Sequence, residues 1–163
     1  MNNLRRTIEI NVDSRYVRRF SLQVAVIGGG YCSHEVSVMA RELGKRLAEK
    51  GHVVVCGGLG GVMEAVCCGA SEARGVVVGI MPGEKNEANR YTKIAIATGM
   101  GYARNTIIVK SADVVIALPG EYGTLSEIAL ALKMNKKVIS LKSWDIPGTV
   151  RVETPEEAIN LLD

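Results

Sequence analysis

Leu118-Pro119-Gly120-Glu121-Tyr122-Gly123-Thr124-Leu125-Ser126-Glu127 leaves the apolar run Val114 to Ala117 and enters a helical pattern. A glycine-rich turn between a strand and a helix is how a parallel α/β protein builds a phosphate cradle. Glycines bring the main chain close, and the free amides of the first helical turn face the anion. Two more such turns precede it. Cys56-Gly57-Gly58-Leu59-Gly60-Gly61 follows Val53 to Val55, and Gly28-Gly29-Gly30 follows Val24 to Ile27. Three turns of this kind in one short chain point to a ligand that carries phosphate or another oxyanion.

Working outward, strand-like and helix-like segments alternate. Gln23–Ile27, Val53–Cys56, Val76–Ile80, Ile94–Ala97, Asp113–Leu118, Lys137–Leu141 and Thr149–Val152 read as strands. Most are unbroken Val/Ile runs, as expected where helices cover both faces. Val36, Ala40, Leu43 and Leu47 mark a helix between Ser33 and Gly51. Val62, Ala65, Val66, Ala70 and Ala73 mark a second, and 101–111 a third with Ile107 and Ile108 inward. Leu125, Ile128, Ala129 and Leu132 mark a fourth. Thr154-Pro155-Glu156-Glu157 opens the last with a threonine cap, a proline and a glutamate. The expected fold class is α/β, a doubly wound, mostly parallel sheet of about seven strands with helices on both faces. In such a sheet every helix after a strand starts at the carboxyl edge, so the three glycine turns, Arg104 and Glu127 should converge there. The stretch Met81 to Thr92, with Asn86, Asn89 and Arg90, suits a rim or lid loop.

The 163 residues suit one domain, 21–163, preceded by a basic arm or edge strand, 1–20. That arm holds five arginines against Glu9 and Asp13, and so carries the whole net charge of +3. The body is neutral and has one Phe and one Trp in the entire chain to offer for stacking, which argues against nucleic acid as a partner. No run is apolar enough to span a bilayer, and the start lacks a signal-peptide core, so a cytoplasmic location is expected. Cys32, Cys56, Cys67 and Cys68 include no C-x-x-C pair and read as buried small apolar residues of a reducing compartment. With only His34 and His52 beside them, no metal centre is expected. His52 reads as a surface turn residue, and His34 lies near the first glycine turn.

Two common fingerprints are absent. Gly28-Gly29-Gly30-Tyr31-Cys32-Ser33 lacks the last glycine of the dinucleotide motif, and the second strand ends in Cys56-Gly57 without a ribose-binding acid. No P-loop occurs. Gly57-Gly58-Leu59-Gly60-Gly61-Val62-Met63-Glu64, then Ala103-Arg104-Asn105, then Pro119-Gly120-Glu121-Tyr122-Gly123-Thr124-Leu125-Ser126-Glu127 resemble the Lonely Guy family, often labelled "lysine decarboxylase-like". The resemblance spans about Val24 to Leu141. It implies a Rossmann-like fold, a homodimer or higher homo-oligomer, and an N-glycosidic hydrolase of nucleoside 5′-monophosphates. Arg104 and Glu127 match that family's catalytic pair. No lysine stands out as a Schiff-base partner, so pyridoxal-phosphate decarboxylation is not expected, and no cofactor is required.

The ligand set expected at the rim comprises Gly28, Gly29, Gly30, Gly57, Gly58, Gly60, Gly61, Met81, Pro82, Asn105, Pro119, Gly120, Tyr122, Gly123 and Thr124. A carboxylate at Glu127 suits the chemistry, because cleaving a ribosyl–base bond builds positive charge on the sugar. Arg104 can fork onto phosphate or ribose oxygens. Thr124-x-x-Glu127 also reads as a capping box, which would give Glu127 a purely structural task. Two positions depart from the hydrolase pattern: Glu121 replaces a glycine, and Asn105 stands where lysine is usual. The run 98–105 is similar to molybdenum-cofactor carrier proteins, which implies a second possibility, a non-catalytic carrier or sensor of a phosphorylated pterin or nucleotide.

Overall fold

The computed structural model describes residues 21–162, so the expected basic arm, 1–20, lies outside the described residues. Seven strands form a single sheet: β1 (Gln23–Ile27), β2 (Val53–Cys56), β3 (Val76–Met81), β4 (Ile94–Ala97), β5 (Val114–Ala117), β6 (Lys137–Leu141) and β7 (Val150–Val152). Their spatial order is β4-β3-β2-β1-β5-β6-β7, and every pairing is parallel. This is a Rossmann-like doubly wound fold, with helices on both faces.

Side-chain alternation along the strands splits the core into two layers. Val24, Val26, Val54, Val77 and Ile116 pack beneath α1 (His34–Glu49), α2 (Val62–Glu72) and α5 (Pro155–Asn160). Ala25, Ile27, Val55, Val115 and Val138 face α3 (Asn105–Ser111) and α4 (Tyr122–Lys133). Because each central strand is apolar on both sides, its sequence shows no polar alternation.

From β1 in the middle of the sheet, the chain winds outward to β4, then returns to lay β5 on the other side of β1. Val24 to Ile27 of β1 register with Val114 to Ala117 of β5. Successive connections diverge to opposite faces at this seam and leave a crevice at the carboxyl ends of the two strands. Among the described residues, no helix is long and apolar enough to cross a membrane.

Several local expectations change. The inward stripe of α4 is Thr124, Glu127, Ile128 and Ala131, whereas Ala129 is exposed. His52 is buried, not a surface turn residue: its Nδ1 accepts the Leu22 N–H at 3.2 Å, tying the starts of β1 and β2 together. Cys56 and Cys67 are buried, with their sulfurs 3.4 Å apart, while Cys32 and Cys68 are only half-buried.

Candidate functional site

The three glycine turns meet at the seam. Gly29 is the hub: its N–H donates to the Pro119 carbonyl at 3.0 Å, and its own carbonyl accepts the Val62 N–H at 3.0 Å. The turns after β1, β2 and β5 are thereby joined by main-chain bonds. The approach is so close that a Cβ on Gly120 would stand 2.6 Å from Gly29 N and 2.2 Å from Thr124 Oγ1. Any side chain there would force the turns apart.

Above this hub lies a cavity of about 370 Å³. One wall is the start of α4. The helix begins at Tyr122, and its N-cap Glu121 makes no side-chain capping bond. The first-turn amides are therefore left to the dipole end of the helix, ready for an anion. Glu121 itself is exposed, so its charge can turn to solvent.

The lining also includes Arg104, the last residue of a short 3₁₀ turn, Gly101–Arg104, that leads into α3. Only 8% of this residue is exposed. Its Nη1 donates to Asn105 Oδ1 at 2.9 Å, while the buried Nε has no partner among the described residues. The guanidinium lies directly against Gly57, where a Cβ would come within 2.6 Å of Nη2. Glycine at 57 is what lets the fork lie flat. Burial pulls the Arg104 pKa down, and the carboxylate of Glu127 pulls it back up.

Glu127 sits one turn inside α4, 6% exposed, and accepts no hydrogen bond among the described residues. Burial pushes its carboxyl up to about 7, against the opposing pull of Arg104. A carboxyl in that range exchanges its proton readily near neutrality. The two groups influence each other electrostatically without forming a salt bridge.

The cradle is braced from behind. Trp144 Nε1 donates to the Gly120 carbonyl at 2.9 Å, and Ser143 Oγ donates to the Leu118 carbonyl at 2.8 Å. Asn89 holds the second glycine turn, its Nδ2 donating to the carbonyls of Gly58 and Leu59 at 3.0 and 2.9 Å. The loop after β3 thus acts as a strut for that turn, and none of its residues lines the cavity. Trp144 and Ser143 went unread in the sequence, because nothing local marks a loop as the brace of another loop 24 or 25 residues away.

Of the residues expected at the rim, the cavity brings together Gly28, Gly29, Gly30, Gly57, Arg104, Asn105, Gly120, Gly123, Thr124 and Glu127. It adds Val26, Ile27, Leu59 and Met63 as an apolar floor, with Tyr31, Tyr102 and Glu121 at its edge. Met81 is a correction: it ends β3, is fully buried, and packs its sulfur under Gly58. Gly58 is spent on that contact and does not line the cavity. Pro82 offers its carbonyl to the Gly101 N–H at 2.9 Å, and Pro119 gives its carbonyl to Gly29, so both act on the scaffold. Gly60 and Gly61 border a neighbouring hollow that also holds His34 and shares Gly30 and Tyr31 with the first. Tyr122 is exposed beside the cradle, outside the cavity lining.

The SLOG cluster4 family model matches residues 21–161. A protein of Archaeoglobus fulgidus is 52% identical over 140 residues, covering 85% of this chain and 93% of that one. The molybdenum cofactor binding protein of the phototrophic bacterium Rippkaea orientalis superposes with a TM-score of 0.83 at 37% identity, over 87% of this chain and 95% of that one. The cytokinin riboside 5′-monophosphate phosphoribohydrolase LOG of Oryza sativa subsp. japonica is 35% identical over 117 residues. That match takes in 65% of this chain and spans about half of the rice enzyme, 48%.

Proposed function

The chain belongs to the SLOG cluster4 family, and from that premise we propose that it binds a nucleoside 5′-monophosphate at the β1–β5 seam and hydrolyses its N-glycosidic bond. The observation that carries this reading is that a buried carboxyl, Glu127, and a buried arginine, each with a side-chain atom that has no partner among the described residues, line one cavity together with a helix N-terminus. In this reading the 5′-phosphate rests on the first-turn amides of α4 and the Thr124 hydroxyl. The sugar then lies over Val26, Ile27 and Met63.

As the ribosyl–base bond lengthens, positive charge grows on the sugar, and ionised Glu127 stabilises it and takes a proton from the attacking water. Water adds to the anomeric carbon as the C–N bond breaks, and the base leaves with the bonding pair and receives from Glu127 the proton taken from water, yielding ribose 5-phosphate and free base. Arg104 holds ribose or phosphate oxygens through its unengaged edge and keeps Glu127 ionised when the site is filled. The homo-oligomer that the resemblance implies belongs to the same proposal, and sedimentation reads it directly.

The test is incubation of the purified protein with a panel of nucleoside monophosphates, with free base and ribose 5-phosphate as products. Their absence across the panel sinks the hydrolase. A second reading, a non-catalytic carrier, is favoured by Asn105, which satisfies Arg104 Nη1 as a neutral neighbour, and by the likeness to a molybdenum cofactor binding protein. Binding of a phosphorylated pterin without turnover would establish it.

A further inference from the structure

The chain is poor in aromatic residues, at 4% of its length. Those among the described residues are not scattered. Tyr31 follows β1, Tyr91 follows β3, Tyr102 precedes α3, Tyr122 opens α4 and Trp144 follows β6. Tyr31, Tyr102 and Trp144 occupy connections at the carboxyl rim, Tyr122 is the first residue of α4, and Tyr91 lies three residues ahead of β4. Two of the five have structural employment. Trp144 braces Gly120, and Tyr91 is half-buried under the Arg90 guanidinium, 4.8 Å from its ring centre.

Tyr31 and Tyr102 have none. They are 98% and 93% exposed and their hydroxyls make no hydrogen bond among the described residues, yet both line the cavity. Each comes from a different edge of it: Tyr31 from the turn after β1, Tyr102 from the 3₁₀ turn that delivers Arg104. Large aromatic rings left fully in water contribute nothing to a core, and a folding argument does not account for two at one opening. Nor does the surrounding backbone need them. The Gly28–Gly30 turn is held through Gly29, and the 101–104 turn through the Gly101 N–H bond to Pro82.

Taken with the phosphate cradle at α4, we propose that Tyr31 and Tyr102 form an aromatic clamp for the planar ring of the ligand, at the mouth of the cavity. The clamp makes the ligand a phosphate ester joined to a flat heterocycle, a nucleobase or a pterin, rather than a bare sugar phosphate. Stacking discriminates little among flat rings, because each has a π-face, so the clamp sets ligand class and leaves the choice of ring to other groups. This inference rests on the phosphate site proposed above and adds its second contact.

The experiment is calorimetric titration of the full chain with three probes: ribose 5-phosphate, neopterin monophosphate, and carbocyclic AMP, whose ring carbon in place of the ribose oxygen blocks hydrolysis. The expected result is that at least one ring-bearing probe binds about ten- to a hundredfold tighter than ribose 5-phosphate, the range of one stacking contact. Which probe gains identifies nucleobase or pterin. Tyr31→Ala or Tyr102→Ala should remove about tenfold of that gain and leave ribose 5-phosphate affinity unchanged, while Tyr31→Phe and Tyr102→Phe keep it. If ribose 5-phosphate binds as tightly as both ring-bearing probes, or the alanine variants keep the gain, the clamp is overturned and the phosphate site stands. If the wild-type chain holds none of the three, the phosphate site falls, and the clamp with it.

Discussion

The pattern Thr-x-x-Glu occurs twice, at the start of α4 and at the start of α5, and the two copies do opposite things. In α5, Thr154 is the N-cap: its hydroxyl accepts the Glu157 N–H at 3.2 Å, and Glu157 Oε2 accepts the Glu153 N–H at 2.8 Å. Both residues are exposed, and their polar groups are used up closing the helix end. In α4 the N-cap is Glu121, three residues ahead of the same pattern. Thr124 and Glu127 are shifted one turn inward, onto the buried stripe. Glu127 then has no orphan amide to serve and faces the cavity instead. What decides between a cap and a site is the register of the pattern against the first helical residue, and here the glycine turn sets that register.

The sharpest way to break the comparison is to neutralise each glutamate. Glu127→Gln should lower hydrolysis of a nucleoside monophosphate about a thousandfold, within the range expected for loss of a positioned carboxylate. Glu157→Gln should leave turnover unchanged. Product assays on both variants read this, and equal activities in Glu127→Gln and wild type would return Glu127 to a structural role.

The pH profile sharpens the same contrast. With its carboxyl raised to about 7, Glu127 is largely protonated below that value and ionised above it. Acting as a base, it makes kcat/KM climb about tenfold per pH unit below 7 and level off above. A profile flat from pH 5 to 8 would show that another group takes the proton.

Stability carries the opposite sign. A carboxyl whose pKa is higher in the fold than in the unfolded chain favours the fold in acid, and that contribution is lost as pH rises from the ordinary carboxylate range through about 7. Wild type should therefore lose on the order of 2 kcal/mol between pH 5 and pH 8 that Glu127→Gln does not lose. Denaturant melts of both proteins at the two pH values measure the difference. If the two proteins change in parallel, the carboxyl is not strained by burial.

Much of the architecture was legible because its signals are local. The Val/Ile runs of β1, β2 and β5 and the glycines that end them need no knowledge of the rest of the chain. That the turns after those strands share a rim followed from the doubly wound topology alone. The role of Glu127 could not be read locally, since Thr124-x-x-Glu127 fits a capping box as well as a site. Deciding between them needed the true helix start, which Tyr122 conceals by being an unremarkable helical residue. Met81 was misassigned because the third strand runs one residue further than its valines suggest, carrying the side chain into the core. His52 was misread for a similar reason. Gly51 marks a turn, but the imidazole folds back to accept the Leu22 amide from a segment 30 residues earlier. Contacts across such distances in sequence, like the Trp144 brace, exist only once the sheet has assembled.

The smallest expected effect concerns the threonines. Thr154→Ala removes a side-chain cap and should cost about 1 kcal/mol, a fall in Tm of roughly 2–4 °C for a chain of this size, with ligand binding untouched. Thr124 caps nothing, and its hydroxyl lies beside Gly120 at the cavity wall. Thr124→Ala should therefore move Tm less than Thr154→Ala does, yet weaken ribose 5-phosphate several-fold by removing one donor from the cradle. Paired thermal melts and titrations separate the two, because each variant is predicted to fail in the measurement where the other succeeds. A Thr124→Ala protein that melts lower but binds normally would mean that the two copies of the pattern do the same job after all.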